Sequence, residues 1–235
     1  MRSFLIATMP YVLWLMVISD VFTIIRMFRE FFKDRSNTIP LIIGLLCIGL
    51  LYDSLILALG VFMKEGALLK TLSQFRYIFH CLLVPLIFPI CANALSLDKK
   101  ITRIVWIVTA VIMILGTAAG IVITTEARTV GDVTRYAQSE SAPKWAAMLE
   151  ELMNYIPVFL MMGTGIYLMI RKKDPYMFLA GFSMFLFSVL GVFIGRDPSG
   201  DRKQSLMFYI SMFGEALMVL FLWFHTKCQL RKAEK

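Results

Sequence analysis

The sequence predicts an all-α bundle of about seven transmembrane helices, and three observations predict it. Apolar residues make up 59% of the 235-residue chain and charged residues 17%, against roughly 45–50% and about 25% in an ordinary soluble domain. The mean hydropathy is +0.75. Apolar stretches near the length of about 20 residues that crosses a hydrocarbon core follow one another along the chain, and Lys and Arg gather in alternate connections. Together these describe one transmembrane helical domain over residues 1–235, with no room left for a soluble one.

The expected spans are Phe4–Phe28, Thr38–Met63, Ser73–Leu95, Ile101–Thr124, Ala147–Ile170, Pro175–Gly195 and Ser205–His225, each bounded by charge, Pro or Gly. The first is too long for the apolar part of a signal peptide, contains Asp20 and lacks a small-x-small cleavage pattern, so it reads as a retained helix. The longest connection, Thr125–Ala146, is polar, with Ser139, Glu140, Ser141 and Pro143, and reads as loop, with a short helix lying on the membrane or lidding a cavity as the alternative. Gly116 and Gly120, and Gly191 and Gly195, recur at helical spacing, while Gly49 and Gly60 lie near one face with Asp53. Helix association in lipid depends on close backbone approach, so these positions read as packing seams. No internal repeat is visible, and with it the inverted-repeat signature of many transporters is missing.

Orientation follows from charge. Arg26, Arg29, Lys33 and Arg35 follow the first span, Lys99, Lys100 and Arg103 the third, Arg171, Lys172 and Lys173 the fifth, and Lys227, Arg231, Lys232 and Lys235 the last. The other side carries Arg2, Lys64, Lys70, Arg128, Arg135, Lys144, Arg196, Arg202 and Lys203, spread over longer connections. The positive-inside rule then predicts an external N-terminus and a cytoplasmic C-terminus, in a membrane most simply taken as a prokaryotic cytoplasmic membrane.

Composition also excludes functions. The formal charge of +8 is distributed over loops and is nowhere interleaved with exposed aromatics, which argues for lipid headgroups and against nucleic acid. The four cysteines, Cys47, Cys81, Cys91 and Cys228, form no C-x-x-C and read as small buried hydrophobes. The two histidines cannot build a three-histidine zinc site, and Asp53, His80 and Glu215 lack a supporting metal-ligand spacing, so no metal and no cofactor are expected. No lysine lies deep in the last span to form a retinal Schiff base, and no P-loop, G-x-G-x-x-G or G-x-S-x-G motif is present.

What remains is a set of polar residues inside the spans, which by default mark a pathway or a site. At 1.5 Å per residue, Asp53 and Glu215 are each expected roughly 15 Å from the outer surface, His80 and Asn154 roughly 10 Å, and Arg76 and Glu151 near the interface. Arg76 and His80, Glu151 and Asn154, and Ser211 and Glu215 each share a helix face. If the faces converge, they make a polar cavity opening outward, with Asp53 and Glu215 at its floor and an Arg76–Glu151 ion pair at its mouth. Asp20 is set apart as a packing or interface residue, Glu150 as lipid-interface or loop-facing, His225 as interfacial, and Trp14, Trp106, Trp145 and Trp223 as belt or packing residues.

The chemistry that fits is acid–base catalysis by Asp53 and Glu215, with His80 assisting, on a lipid-soluble substrate. A carboxyl in an apolar site keeps its proton near neutrality and can donate it. Arg76, Asn154, Glu151 and Ser211 would bind the substrate's polar end. A carrier or proton-coupled transporter would use the same acids as relay groups, and a polar path continuing to Asp20 and the cytoplasm would mark it. A sensor or assembly protein would need no such site. A small seven-helix protein with one acid in span two and one in span seven resembles the membrane-embedded terpene cyclases. The resemblance covers topology and the placement of Asp53 and Glu215, and it implies membrane lipids as partners and a lipid-like or isoprenoid substrate.

Overall fold

The computed structural model describes residues 2–197 and 205–233. Its elements are α1 (Arg2–Lys33), α2 (Ile39–Leu59), α3 (Ala67–Leu83), a 3-10 turn (Val84–Leu86), α4 (Ile87–Ala94), α5 (Lys99–Val122), β1 (Thr125–Val130), β2 (Val133–Gln138), α6 (Lys144–Lys172), α7 (Tyr176–Ile194) and α8 (Met207–Ala233). Seven helical segments among the described residues are long and apolar enough to cross a bilayer, with α3 and α4 together forming the third, Ala67–Ala94. The chain is an integral membrane protein. Arg202, Lys203 and Lys235, which enter the orientation argument, lie outside the described residues, as does the side chain of Lys232.

Four span boundaries differ from expectation by more than a helical turn: α1 runs on to Lys33 beyond Phe28, α2 ends at Leu59 before Met63, and the third and last spans also shift. The third span begins at Ala67, not Ser73, because α3 is amphipathic there: Leu69, Ser73 and Tyr77 are buried while Lys70 and Thr71 face outward. The last helix continues past His225 to Ala233. The third span is also broken. Pro85 has no N–H to continue the α-helical ladder, and the chain passes through the 3-10 turn before α4 resumes.

The Thr125–Ala146 connection is not a plain loop. It holds an antiparallel hairpin with Val130 opposite Val133, closed by Gly131 and Asp132, with Gly131 at φ +59°. A glycine at the first position of a two-residue hairpin loop supplies the positive φ such turns need. The hairpin is tied down. Thr134 N–H donates to Gly60 C=O at 2.9 Å, and Gln138 N–H donates to the Tyr77 hydroxyl at 2.8 Å. Any Cβ on Gly60 would collide with the Thr134 carbonyl oxygen, so the glycine lets this strand reach the end of α2.

Helix neighbours run α1, α2, α3, α5, α6, α7, α8 and back to α1, with α4 inside this ring. Gly116 and Gly120 of α5 meet backbone atoms of Cys81 and Ile78 on α3, and Gly195 meets the backbone of Leu206 and Met207, as packing seams require. The half of the bundle around α4 is an apolar core that includes Ile43, Leu46, Ile90, Met161, Leu168, Met177 and Leu222. All four cysteines are free thiols, three of them buried.

Helices α6 and α7 pack closely near the turn that joins them, where Gly165 lies against the backbone of Phe178 and Gly181 lies against Met162. Lys173, at φ 49°, takes the left-handed conformation that ends α6. The next residue, Asp174, is fully buried and forms a clasp to α8, accepting from His225 Nδ1 at 2.9 Å and Gln229 Nε2 at 3.0 Å. His225 is therefore a buried structural partner, not an interfacial residue. A side chain at Gly165 has no space, and overpacking typically costs about 1–3 kcal/mol. Gly165→Val is expected to lower thermal stability in detergent, whereas Gly163→Ala, where nothing lies within 4 Å of the added Cβ, should not. Equal effects at the two positions would contradict the seam.

The clasp also predicts a pH dependence. Burial alone would raise the Asp174 carboxyl, but the hydrogen bond and charge of His225, the Tyr176 N–H and Gln229 together hold it below its ordinary value of 3.8. A depressed aspartate contributes stability that is present above its unfolded-state pKa and is lost as pH falls through the folded one. The stability gap between the parent protein and Asp174→Asn should be wide at neutral pH and narrow below about pH 4. A gap independent of pH would remove the charge contribution.

Candidate functional site

Between the apolar core and the hairpin lies a cavity of 480 Å³, within the roughly 300–1,000 Å³ range of small-molecule sites. Its polar wall comes from four helices: Asp53 on α2, Arg76, Tyr77 and His80 on α3, Glu150 and Asn154 on α6, and Ser211 and Glu215 on α8. Its other walls are apolar, with Leu57, Val158, Phe159, Met184, Phe185, Val189, Val192, Phe208 and Met212 among them, and Ser188 as the polar contribution of α7.

The helical register explains who reaches the cavity. On α3, Arg76 and His80 are four apart and stand one above the other; on α8 the spacing Phe208, Ser211, Met212, Glu215 is one helix face. On α6 two adjacent rows line the cavity, Glu150, Asn154 and Val158 on the inner side and the exposed Tyr155 and Phe159 at the rim. Glu151, expected to bind substrate, is off the inner row and exposed. Glu150, expected at the lipid interface, takes its place. Both acids are compatible with Asn154 by spacing; what separates them is that Glu150 continues to the buried Val158 and Glu151 to the exposed Tyr155 and Phe159.

The expected Arg76–Glu151 ion pair is absent from the cavity mouth. Arg76 Nε instead pairs with Asp53 Oδ1, both side chains being largely buried. The cause is the true helix ends. With α3 starting at Ala67, Arg76 sits about 14 Å into its helix, and with α2 ending at Leu59, Asp53 sits only about 9 Å from the end of its own. The presumed floor residue and the presumed mouth residue therefore meet. Elsewhere on the wall, His80 Nε2 and Asn154 Oδ1 lie 2.8 Å apart. Glu150 is within electrostatic reach of His80 and Arg76 and hydrogen-bond reach of Asn154. Ser211 spends its hydroxyl proton on the Phe208 carbonyl, 2.8 Å away.

Of the buried polar atoms of this wall without a hydrogen-bond partner among the described residues, Asp53 Oδ1 is engaged by Arg76 Nε in the ion pair, which leaves Arg76 Nη1 and Glu215 Oε2. Unsatisfied buried groups are rare and costly, and here a donor nitrogen and a carboxyl oxygen belong to one cavity. Below it, Asp20 is buried and accepts from Ser54, the neighbour of Asp53, at 3.1 Å. Past Asp20 the next buried polar side chain of α1, Thr23, turns back to the Ser19 carbonyl of its own helix. Met27, Ile43, Leu46 and Cys47 then fill the bundle.

The cavity reaches the surface on the flank of the bundle. Its exposed lining residues are Tyr155 at 57%, Phe159 at 56%, Phe185 at 38% and Met207 at 39%. All are apolar or aromatic, and they put the opening on the side of the bundle, where α6, α7 and the start of α8 meet. The hairpin roofs the neighbouring end. Arg135 of β2 lies 3.7 Å over the ring of Phe208, a lining residue. Burial, with help from the nearby Arg76 charge, pulls this guanidinium down to about 9. The expected alternative of a lid over the cavity took it as a short helix; the roof is instead the β1–β2 hairpin, for which Gly131-Asp132 between short β-prone runs is the signal.

Among the described residues no three His, Cys, Asp or Glu side chains are grouped so as to hold a metal ion. No protein-family model matches this chain, and no curated protein is similar to it.

Proposed function

We propose that this protein is an enzyme acting on a lipid-soluble substrate by acid–base chemistry in the half-buried cavity. The observation that carries the reading is the pair of unpartnered buried atoms, Glu215 Oε2 and Arg76 Nη1, on one cavity wall. Burying an ionised carboxylate with no cation of its own is expensive, and the guanidinium is already engaged by Asp53. Glu215 is therefore assigned as the proton donor. Its O–H bond breaks as the proton passes to a substrate oxygen, and Arg76 Nη1 donates a hydrogen bond to the same oxygen. Asp53 positions Arg76. His80, held by Asn154, is the base available to take a proton back, and Glu150 sets the charge around that pair.

The dead end below Asp20 supports an enzyme over a carrier. The Asp20–Ser54 contact extends the polar wall, but the layer beyond it is apolar and offers no relay. The test is turnover. The purified protein in nanodiscs is incubated with a membrane lipid extract, and a lipid whose mass changes with the parent protein and not with Glu215→Gln supports the reading. A solute that crosses proteoliposomes unchanged, with Glu215 required, would replace it with the carrier.

The proposed setting is a prokaryotic cytoplasmic membrane with the hairpin outside and the C-terminus in the cytoplasm. In a chain whose intermediate-exposure Cys228 is replaced by Ser, a cysteine at Ser139 should react with an impermeant thiol reagent in intact cells, and one at Lys235 should not. The reverse pattern would invert the topology.

A further inference from the structure

We infer that the cavity takes an uncharged, oxygen-bearing, single-chain amphiphile sideways from the bilayer, its chain lying in the gap between α6 and α7 and its polar end against Arg76 and Glu215. The inference rests on the reading of the cavity as a substrate site, and it specifies what enters and by which route.

The route follows from the rim. The exposed lining residues, Tyr155, Phe159, Phe185 and Met207, are all apolar or aromatic, so a ligand crossing this edge meets hydrocarbon-compatible surface throughout. The contacts locate the gap. Gly165 and Gly181 bring α6 and α7 into close contact near their connecting turn, Pro157 interrupts the α6 ladder further along, and the rings of Phe159 and Phe185 lie 6.0 Å apart at the rim. Beyond that ring pair Asn154 and Tyr155 of α6 and Ser188, Val189 and Val192 of α7 line the cavity. From the adjoining end, the hairpin bonds to Gly60 and Tyr77 and the Arg135–Phe208 contact restrict entry from water.

The headgroup follows from charge and hydrogen-bond capacity. The one arginine on this wall is already paired with Asp53, and Glu150 lies beside it, so a phosphate would find no uncommitted guanidinium to balance its charge. An ammonium has no lone pair for Arg76 Nη1 and would leave that buried donor unsatisfied. A hydroxyl or carbonyl oxygen accepts from Nη1 and, on the same atom, from a protonated Glu215. Only a neutral oxygen function satisfies both orphaned atoms without adding charge.

The experiment is photolabelling in nanodiscs with a long-chain alcohol carrying a diazirine in mid-chain. Crosslinks are expected on Tyr155, Phe159 or Phe185. Unlabelled hexadecanol should compete, while hexadecyl phosphate and hexadecylammonium should each need about tenfold more, a difference equivalent to about 1.4 kcal/mol. Val189→Trp, which fills the gap, should reduce labelling about tenfold if it blocks entry by a similar amount. If that variant does not fold, the competition series decides alone, since it uses the unaltered protein. Crosslinks confined to other helices, or a phosphate or ammonium that competes as well as the alcohol, would overturn the inference. Labelling does not require turnover. A protein that labels as expected and converts nothing loses the enzymatic reading only, and one that converts a lipid while labelling elsewhere loses this one only.

Discussion

Glu215→Gln is expected to fold like the parent and to lose turnover by about 10²–10⁴-fold, the usual worth of a positioned general acid. Glutamine has nearly the same shape and keeps a hydrogen-bonding group where Oε2 lies, but it has no proton to give. The position is lined by apolar neighbours such as Met212 and by the Asp53–Arg76 pair, so the substitution removes no ion pair and should leave thermal stability close to that of the parent. Turnover and melting temperature measured on the same nanodisc preparation check both halves. A Gln variant that keeps its activity would take the proton away from Glu215, and one that unfolds would make Glu215 a structural residue. Asp53→Asn is a less clean probe than it looks from sequence, because it strips the charge partner from Arg76.

The second large effect concerns that pair. Replacing Asp53 by Leu or Arg76 by Met alone should destabilise the protein by about 3–5 kcal/mol, since each leaves one uncompensated buried charge, whereas the double replacement should cost much less. Both side chains are largely buried, so solvent screens little of the interaction. Thermal or chemical unfolding of the four variants in one detergent gives the coupling. A double variant as unstable as the sum of its singles would show that the two do not depend on each other. With Asp53 removed, the orphaned guanidinium should also turn toward Glu215, so the same cycle read by turnover should show loss in both single variants.

The number and order of the spans were legible because lipid imposes a length and a polarity that few other environments demand. Asp53, His80, Asn154, Ser211 and Glu215 could be nominated for the same reason: a polar group deep in a span needs a purpose. Partnership was harder to read. Arg76 and Asp53 meet because α3 starts earlier and α2 ends sooner than hydropathy alone indicates, and a shift of a turn in each changes which groups share a level. Glu150 and Glu151 differ by one helical step of about 100°, and both satisfy the spacing to Asn154, so the choice depended on which face α7 and α8 cover. His225 and Asp174 are far apart in sequence, and nothing local announces that a loop acid will be buried against the last helix. The hairpin did carry a local signal in Gly131-Asp132, which the polar character of the segment obscured.

The α6–α7 contact has a mechanical consequence. Its turn end is held by Gly165 packing on Phe178 and by the Asp174 clasp to α8. Farther along α6, Pro157 leaves the Met153 carbonyl without its ladder partner, so the compliant point lies about two helical turns from the fixed end. On the proposed reading, exchange of a lipid through the opening would work like the spreading of a pair of tweezers, with the joined end fixed and the bend at the proline. Such collective bending belongs to the microsecond-to-millisecond range, slower than the tumbling of lipid chains past the rim, so the proposed exchange would be timed by the protein and not by the membrane around it.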